Sequence, residues 1–520
     1  MTGVDASTTA SGLGAPVLAP SQSAQDGGAE AGAGRGGAGM RRHRTARGAI
    51  INGGFLVALA GLALVQRVIV ARLLLPSEFG LWTVALLAVV TVLFLKNAGI
   101  GDKFVQQDEP DQELAFQKAF TIDLVLAIGC LGLAIVLLPL LALAYGKSDV
   151  IAPGLVLCLA IVGNALQAPL WIHYRRMNFS AQRRLQAIDP LVTFAVTIPL
   201  ALAGAGVWSL VLGTVAGAWT AGLVAVARSP YAFALRIERG TVKDYFNFSW
   251  PVVVASGSGM LIVQIAQVAG TRTGGLGRTG AIGLAYSTSS FTNGVDAVVT
   301  QTIYPALCAV RERSELMLEI FVKSNRLALL WGMPFGLGIA LFAPDIVHFI
   351  VGDKWSFAVD LIRGFAVVAA IDQLGFNWTA VLRALDRTTP LAVLGAVTLA
   401  TFIAITLPLF IAFGLRGFAV GWVLLGITTV ASRTVYLKRL FPAFSMLRHA
   451  LRASTPALAA IGAVLAIRAL SATSLLGADR HWSQAASSLA AYLAAAGLTA
   501  IAIERPLLSE MFGYLRRPSR

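Results

Sequence analysis

Arg67, Lys96 and Arg363 are cationic side chains set inside or at the rims of long apolar runs. There a guanidinium or ammonium group could hold the oxygens of an anion through charge-assisted hydrogen bonds. Asp296 is the most deeply placed carboxylate. With Ser289, Asn293 and Thr300 it recurs at about helical spacing and makes one polar stripe on an otherwise apolar helix. Asp372 stands beside Gln373 and near Asn377 in another run, and Asp123 lies near the end of a third. Such groups could coordinate Na⁺, relay a proton or accept hydrogen bonds from sugar hydroxyls. Each has a structural reading beside the chemical one. A long cationic side chain can snorkel to the interface, and a carboxylate–amide contact can simply hold two helices together.

The elements that carry these residues decide between the readings. Of 520 residues, 57% are hydrophobic and only 13% charged, with a mean hydropathy of +0.74. So few charges cannot cover the surface of a soluble protein this long. Apolar runs recur at about 49–73, 79–97, 119–144, 150–171, 187–205, 207–227, 248–270, 282–306, 327–351, 357–380, 389–412, 417–437, 453–470 and 484–503, most of them long enough to cross a hydrocarbon core of about 30 Å. The chain therefore reads as an all-α polytopic membrane protein with about fourteen transmembrane helices, called spans one to fourteen below. At 1.5 Å per residue, Arg67 lies about 9 Å outward of the midpoint of span one. Lys96 and Arg363 lie nearer the ends of spans two and ten, where snorkelling competes more strongly.

The formal charge of +15 does not point to nucleic acid, because the basic residues sit in short loops between apolar runs. Placing the N-terminus in the cytoplasm gathers most Lys and Arg on the inner side, including Arg41, Arg42, Arg44, Arg47, the loop YRRMNFSAQRR from Tyr174 to Arg184, and Arg433, Lys438, Arg439, Arg448 and Arg452. The positive-inside rule and an even span count then place both termini in the cytoplasm. Residues 1–47 form an Ala-, Gly- and Ser-rich tail expected to be disordered, and Met40 within it is an alternative start. Pro76-Ser77-Glu78 reads as a tight outer turn before span two, and Asp189 before Pro190 as an N-cap. Trp171, Tyr174, Trp208 and Trp355 fall at span boundaries, as an interfacial aromatic belt would.

The punctuation repeats. SEFGLWTVA from Ser77 is echoed by GAIGLAYST from Gly280, and GAGVWSLVLG from Gly204 by GLRGFAVGWV from Gly414, offsets of 203 and 210 residues. Two six-helix bundles of equal topology fit these offsets. The expected organisation is a tail over 1–47, a first bundle over 48–228, a cytoplasmic linker over 229–247, a second bundle over 248–440, two extra helices over 441–505 and a basic cytoplasmic tail over 506–520.

Absences narrow the chemistry. No G-x-x-x-x-G-K-[ST] occurs, the glycines of GGLGRTG follow no strand, and the five histidines are scattered. Neither P-loop hydrolysis nor a metal site is indicated. Outer loops are too short for the domain that a lipid-sugar glycosyltransferase or polymerase usually carries, so an enzyme is disfavoured.

ARLLLPSEFGLWTVA, the following GIGDKFVQQ (Gly99 to Gln107), the LQAPLWIHYRRMNFSAQRR loop and the GAGVWSLVLG turn resemble Wzx-type polysaccharide transporters of the multidrug/oligosaccharidyl-lipid/polysaccharide exporter superfamily. The resemblance runs from about residue 48 to 440 and departs at TRTGGLGRTG (Thr271 to Gly280). It implies alternating-access flipping of an undecaprenyl-diphosphate-linked oligosaccharide from the inner to the outer leaflet of the plasma membrane, for cell-surface polysaccharide biosynthesis. It also implies a cleft that holds the diphosphate and the glycan, with Arg67, Lys96, Asn293, Asp296, Thr300, Arg363, Asp372 and Asn377 as candidates. Coupling to an Na⁺ or H⁺ gradient would fall to Asp296, Asp372 or Asp123, with no bound cofactor. Polysaccharide polymerase and glycosyltransferases are the protein partners it suggests. A drug/cation antiporter of the same fold stays open at this point. It would have a cleft dominated by carboxylates and aromatics and no functional need for Arg67.

Reporter fusions after Arg47 and after Arg505 are expected to give cytoplasmic signals. An extracytoplasmic signal at either point removes the fourteen-span arrangement.

Overall fold

The computed structural model describes residue 55, residues 58–59 and, from 61 to 516, all but short gaps at 97–99, 108, 177, 294–295, 297–298, 301–302, 305–306, 309, 386, 388, 472–476, 478 and 480. The expected tail over 1–47 lies outside these residues. Among the described residues the regular structure is helical, without strands. Among the described residues, nine helices are long and apolar enough to cross a membrane. That tally is not a test of fourteen. Span one is described only in part, spans eleven and twelve run on as one segment over Thr389–Leu440, and span ten is broken into two short helices, Val359–Asp372 and Trp378–Ala384.

Local sequence explains the helix ends. The helix of span two begins at Pro76, earlier than Phe79, because proline suits the first helical position and needs no N–H partner there. Glu78 Oε2 accepts the Leu75 N–H at 2.8 Å. Helix Gln112–Tyr145 opens on Asp111, whose carboxylate accepts from the N–H groups of Glu113 and Leu114, and closes on Gly146 in the left-handed region at φ 68°. At 1.5 Å per residue its 34 residues measure about 51 Å, longer than a hydrocarbon core of about 30 Å, so its polar N-terminal end extends past that core. Asp189 is not a cap. It sits in the first turn of helix Ile188–Leu202, capped by Ala187 without a side-chain bond, and accepts from Thr193 Oγ1 at 3.1 Å. Trp355 also departs from the belt expected of it, being fully buried.

The chain divides into two compact units, residues 1–280 and 281–520. The boundary follows span seven, so it lies one helix beyond the linker expected at 229–247. In the first unit, span seven is tied to the preceding helices along its length. Near its N-terminal start, Tyr245 is buried among Ile100, Phe104, Phe116 and Ile172. Further along, Tyr145 Oη donates to Gln264 Oε1 at 2.9 Å, and Gln264 Nε2 donates to Thr91 Oγ1 at 2.5 Å. Past its C-terminal end Arg272 donates to the carbonyls of Leu143 and Ala144. The connection over 229–238 is an extended strap along the N-terminal end of helix Gln112–Tyr145. Ala232 N donates to Glu113 Oε1 at 3.0 Å, Arg236 N donates to Thr121 Oγ1 at 2.8 Å, and Phe233 packs on Phe116 and Phe120. Lys118 pairs there with Glu238 at 2.6 Å, and its hydrogen bond holds the Glu238 carboxyl below its usual range.

In the second unit the two C-terminal helices, Met446–Leu470 and Trp482–Arg516, are pinned to helix Ser314–Asp345 at both ends. At one end Glu504 takes Arg326 and Arg452. At the other end Arg468 bridges Asp345 at 2.5 Å and Asp479 at 3.1 Å, all three buried. Between them Tyr492 Oη donates to the Pro334 carbonyl at 2.7 Å.

Two segments of the first unit touch through glycine. A Cβ at Gly80 would overlap the Leu276 carbonyl, and one at Gly280 would overlap the Pro76 carbonyl. Gly80→Val is therefore expected to cost about 1–3 kcal/mol by overpacking, whereas Gly61→Ala, which meets nothing within 4 Å, is expected to be neutral. Thermal midpoints in detergent measure both, and an unshifted Gly80→Val midpoint refutes the close approach.

Candidate functional site

Lys96 ends the helix of span two and Asp123 lies on the helix of span three. Their side chains meet, Nζ to Oδ2, at 2.9 Å, with only 3% and 2% of their surfaces exposed. One apolar turn from each, Val92 and Ala127 belong to the same packed core. A lone charge here would pay a large desolvation cost, and the pair is the form in which either charge is tolerated. The anion-holding candidate Lys96 and the ion-coupling candidate Asp123 therefore neutralise each other. Lys96 does not snorkel.

Arg67, half-buried on the helix over 61–73, stays a member of the first unit's span one. Arg363 lies in the first turns of helix Val359–Asp372, 3.6 Å from Asp360. Asp360 also receives Arg416 at 3.1 Å. This charge cluster lies at the N-terminal end of that helix, away from the deeper residues. Thr300 is half-buried on span eight, and the Asn293 side chain lies outside the described residues.

The remaining candidates gather at the break in span ten. Helix Val359–Asp372 stops, residues 373–377 turn with Gly375 at φ 67°, and helix Trp378–Ala384 resumes. A positive φ is cheap only for glycine. The turn opens backbone groups that hydrocarbon cannot satisfy, and two side chains close them. Arg433 Nη1 donates to the carbonyls of Asp372 and Leu374 at 2.7 and 2.9 Å. Asn325 donates to the Gln373 carbonyl at 2.8 Å and accepts from Gly375 N at 3.1 Å. His449 Nε2 approaches the same Asn325 oxygen at 2.6 Å, and since that oxygen only accepts, Nε2 carries the proton.

The carboxylates sit on this scaffold. Asp372 Oδ1 takes Arg433 Nη2 at 2.7 Å, and Arg433 also lies over the Trp378 ring at 5.9 Å. Gln373 Nε2 donates to Asp296 Oδ2 at 3.0 Å. Asn377 donates to Phe321 O at 3.0 Å and Ser324 Oγ at 2.7 Å. The structure thus brings Asp296, Asp372 and Asn377 to one elbow, as sequence spacing within single helices could not. It adds Asn325 and Arg433, which the sequence reading did not select. Arg433 falls among the inner-side cations by the positive-inside rule although it lies inside the 417–437 run, and a lone arginine within a span is itself a signal.

The chain's likenesses to known proteins agree with this architecture. Residues 69–360 match the family model described as "Polysaccharide biosynthesis protein". Over 304 residues the chain is 26% identical to the succinoglycan biosynthesis transport protein ExoT of Rhizobium meliloti (strain 1021), covering 57% of this chain and 60% of that protein. Over 409 residues it is 22% identical to the lipopolysaccharide biosynthesis protein WzxC of Escherichia coli (strain K12), covering 76% and 82%. It therefore spans less than two thirds of the first relative's length. Among solved structures, lipid II flippase MurJ in an inward closed conformation is similar with a TM-score of 0.66 at 11% identity, covering 88% of this chain and 100% of that one. An inward-facing multidrug resistance MATE family transporter of the MOP superfamily follows at 0.57 and 13%, covering 74% and 96%. At such identities the likeness is one of fold.

Asp123→Asn leaves Lys96 buried without a counter-charge and is expected to cost about 3–5 kcal/mol, whereas Lys96→Met with Asp123→Leu is expected to recover most of it. Thermal midpoints of the single and double variants decide this. If the double variant is no better than the single, the ion pair is not what stabilises the site.

Proposed function

The chain belongs to the polysaccharide biosynthesis protein family, whose model spans residues 69–360, and on that premise we propose that it flips a lipid-linked oligosaccharide across the plasma membrane. The substrate is an undecaprenyl-diphosphate-linked glycan, carried from the inner to the outer leaflet by alternating access for cell-surface polysaccharide biosynthesis. Both termini lie in the cytoplasm. A polymerase and glycosyltransferases are the partners that would consume and supply the glycan. The chain moves its substrate without making or breaking a covalent bond, and an Na⁺ or H⁺ gradient would drive the cycle.

One observation carries this reading: a chain with many membrane-length helices aligns with two relatives named for polysaccharide biosynthesis, one of them a transport protein. Arg67 supplies the physical requirement. A diphosphate cannot shed its water uncompensated, and a half-buried guanidinium on span one offers a planar fork for phosphate oxygens.

Deleting the gene is expected to leave a lipid-linked oligosaccharide accumulating on the cytoplasmic leaflet, and its absence there would end the proposal. Within it, a charge-assisted contact contributes roughly 1.5–3 kcal/mol, so Arg67→Ala is expected to lower transport at least about tenfold at matched membrane abundance. Arg67→Lys should restore only part of that, since lysine keeps the charge and loses the fork. Full activity of the lysine variant would mark Arg67 as an interfacial anchor.

A further inference from the structure

The fourth span of each repeat is broken at the same place. Span four runs as Ile151–Ala165, a turn over 166–168, then Pro169–Arg175, and span ten as Val359–Asp372, a turn over 373–377, then Trp378–Ala384. The sequences through the breaks correspond: LQAPLW from Leu166 and DQLGFNW from Asp372, with Gln167 matching Gln373 and Trp171 matching Trp378. Helices interrupted at corresponding positions of two repeats mark binding sites in transporters, because they open polar groups at membrane depth.

What differs between the two breaks separates architecture from chemistry. Leu166 stands where the second repeat has Asp372, and at the 210-residue offset Leu223 stands where it has Arg433. A break of this kind therefore forms without that ion pair, its Gln167 bonding the Asp189 carboxyl instead, so the Asp372–Arg433 pair is not a requirement of the broken helix.

Asp372 is also placed as a structural residue would not be. Thirteen residues of helix precede it, about 20 Å at 1.5 Å per residue, within a core of about 30 Å. Yet its side chain is 41% exposed, whereas Arg433 is 7% exposed. A carboxylate at that depth cannot face lipid and must line a water-filled space. Arg433 is committed to two backbone carbonyls and to one Asp372 oxygen, so it is not presented to a phosphate. Asp296, bonded to Gln373, adds a second carboxylate. The elbow offers hydrogen-bond acceptors and anionic charge. It would repel a diphosphate and accept hydroxyl donors.

We propose that the span-ten elbow is a hydroxyl-reading subsite in which the exposed Asp372 carboxylate, oriented by Arg433, accepts hydrogen bonds from the glycan of the lipid-linked substrate. The diphosphate is held elsewhere. The subsite rests on the flippase reading and deepens it, since it assigns recognition of sugar and of phosphate to different residues.

The test compares two probes on the purified full chain in nanodiscs: undecaprenyl diphosphate, and the lipid-linked oligosaccharide extracted from a strain lacking the gene. Wild-type protein is expected to prefer the glycan-bearing lipid. Asp372→Asn is expected to weaken that lipid about tenfold or more, at 1.4 kcal/mol per tenfold, and to leave undecaprenyl diphosphate within about twofold. Asp372→Glu keeps the charge next to Arg433 but shifts the oxygens by one methylene. It should lose the glycan preference while keeping the wild-type thermal midpoint. If both affinities fall together, or neither changes, the subsite is refuted. If Asp372→Asn abolishes binding of radioactive sodium while glycan affinity holds, the elbow is a cation site and the proposal is wrong. If wild-type protein binds neither lipid, the flippase reading itself fails and the subsite with it.

Discussion

A carbonyl without a donor inside hydrocarbon costs several kcal/mol, and the turn at 373–377 would create a cluster of them. Its existence depends on Arg433 and Asn325, which supply donors to the carbonyls of Asp372, Gln373 and Leu374. Because Asn325 sits on helix Ser314–Asp345 and Arg433 on helix Leu407–Leu440, satisfying one turn commits three spans to one arrangement. His449 extends the commitment to the first of the C-terminal helices. The elbow is consequently rigid, and a rigid elbow can hold a carboxylate in the open at a depth where a mobile one would recoil.

Charge inside the membrane is handled in two ways in this chain. Lys96 with Asp123, and Arg468 with Asp345 and Asp479, are sealed clusters whose members are almost wholly buried. Their charges are used up within the protein, and their effect is to fix helices. Asp372 is the contrasting case, paired on one side and 41% exposed overall. Exposure separates a clamp from a surface that can meet a ligand.

The two broken spans differ along the same line. Span four and span ten share the break, the glutamine and the tryptophan. In the first unit Gln167 is buried beside Asn164 and the break carries leucine. In the second, the break is one residue longer and holds Gly375 at positive φ, and aspartate stands in place of the leucine. The two breaks share an architecture, and a few positions give polarity to one of them.

Much of this was determined by the sequence alone. Long apolar runs and the distribution of Lys and Arg dictate a polytopic helical chain, because hydrocarbon thickness and backbone hydrogen bonding leave no other solution. Asp296, Asp372 and Asn377 could be singled out, since polar residues are costly in a span wherever they point. Their partners could not. The apolar run 357–380 reads straight through a helix that breaks, and Lys96 gives no sign in its own neighbourhood that Asp123 awaits it. In water, an amphipathic period shows which face of a helix meets its neighbours. In a membrane both lipid and neighbour are apolar, so the period is nearly silent and small residues and polar contacts choose the pairing. Which helix meets which, and therefore which charge is cancelled and which stays open, was decided only when the spans packed.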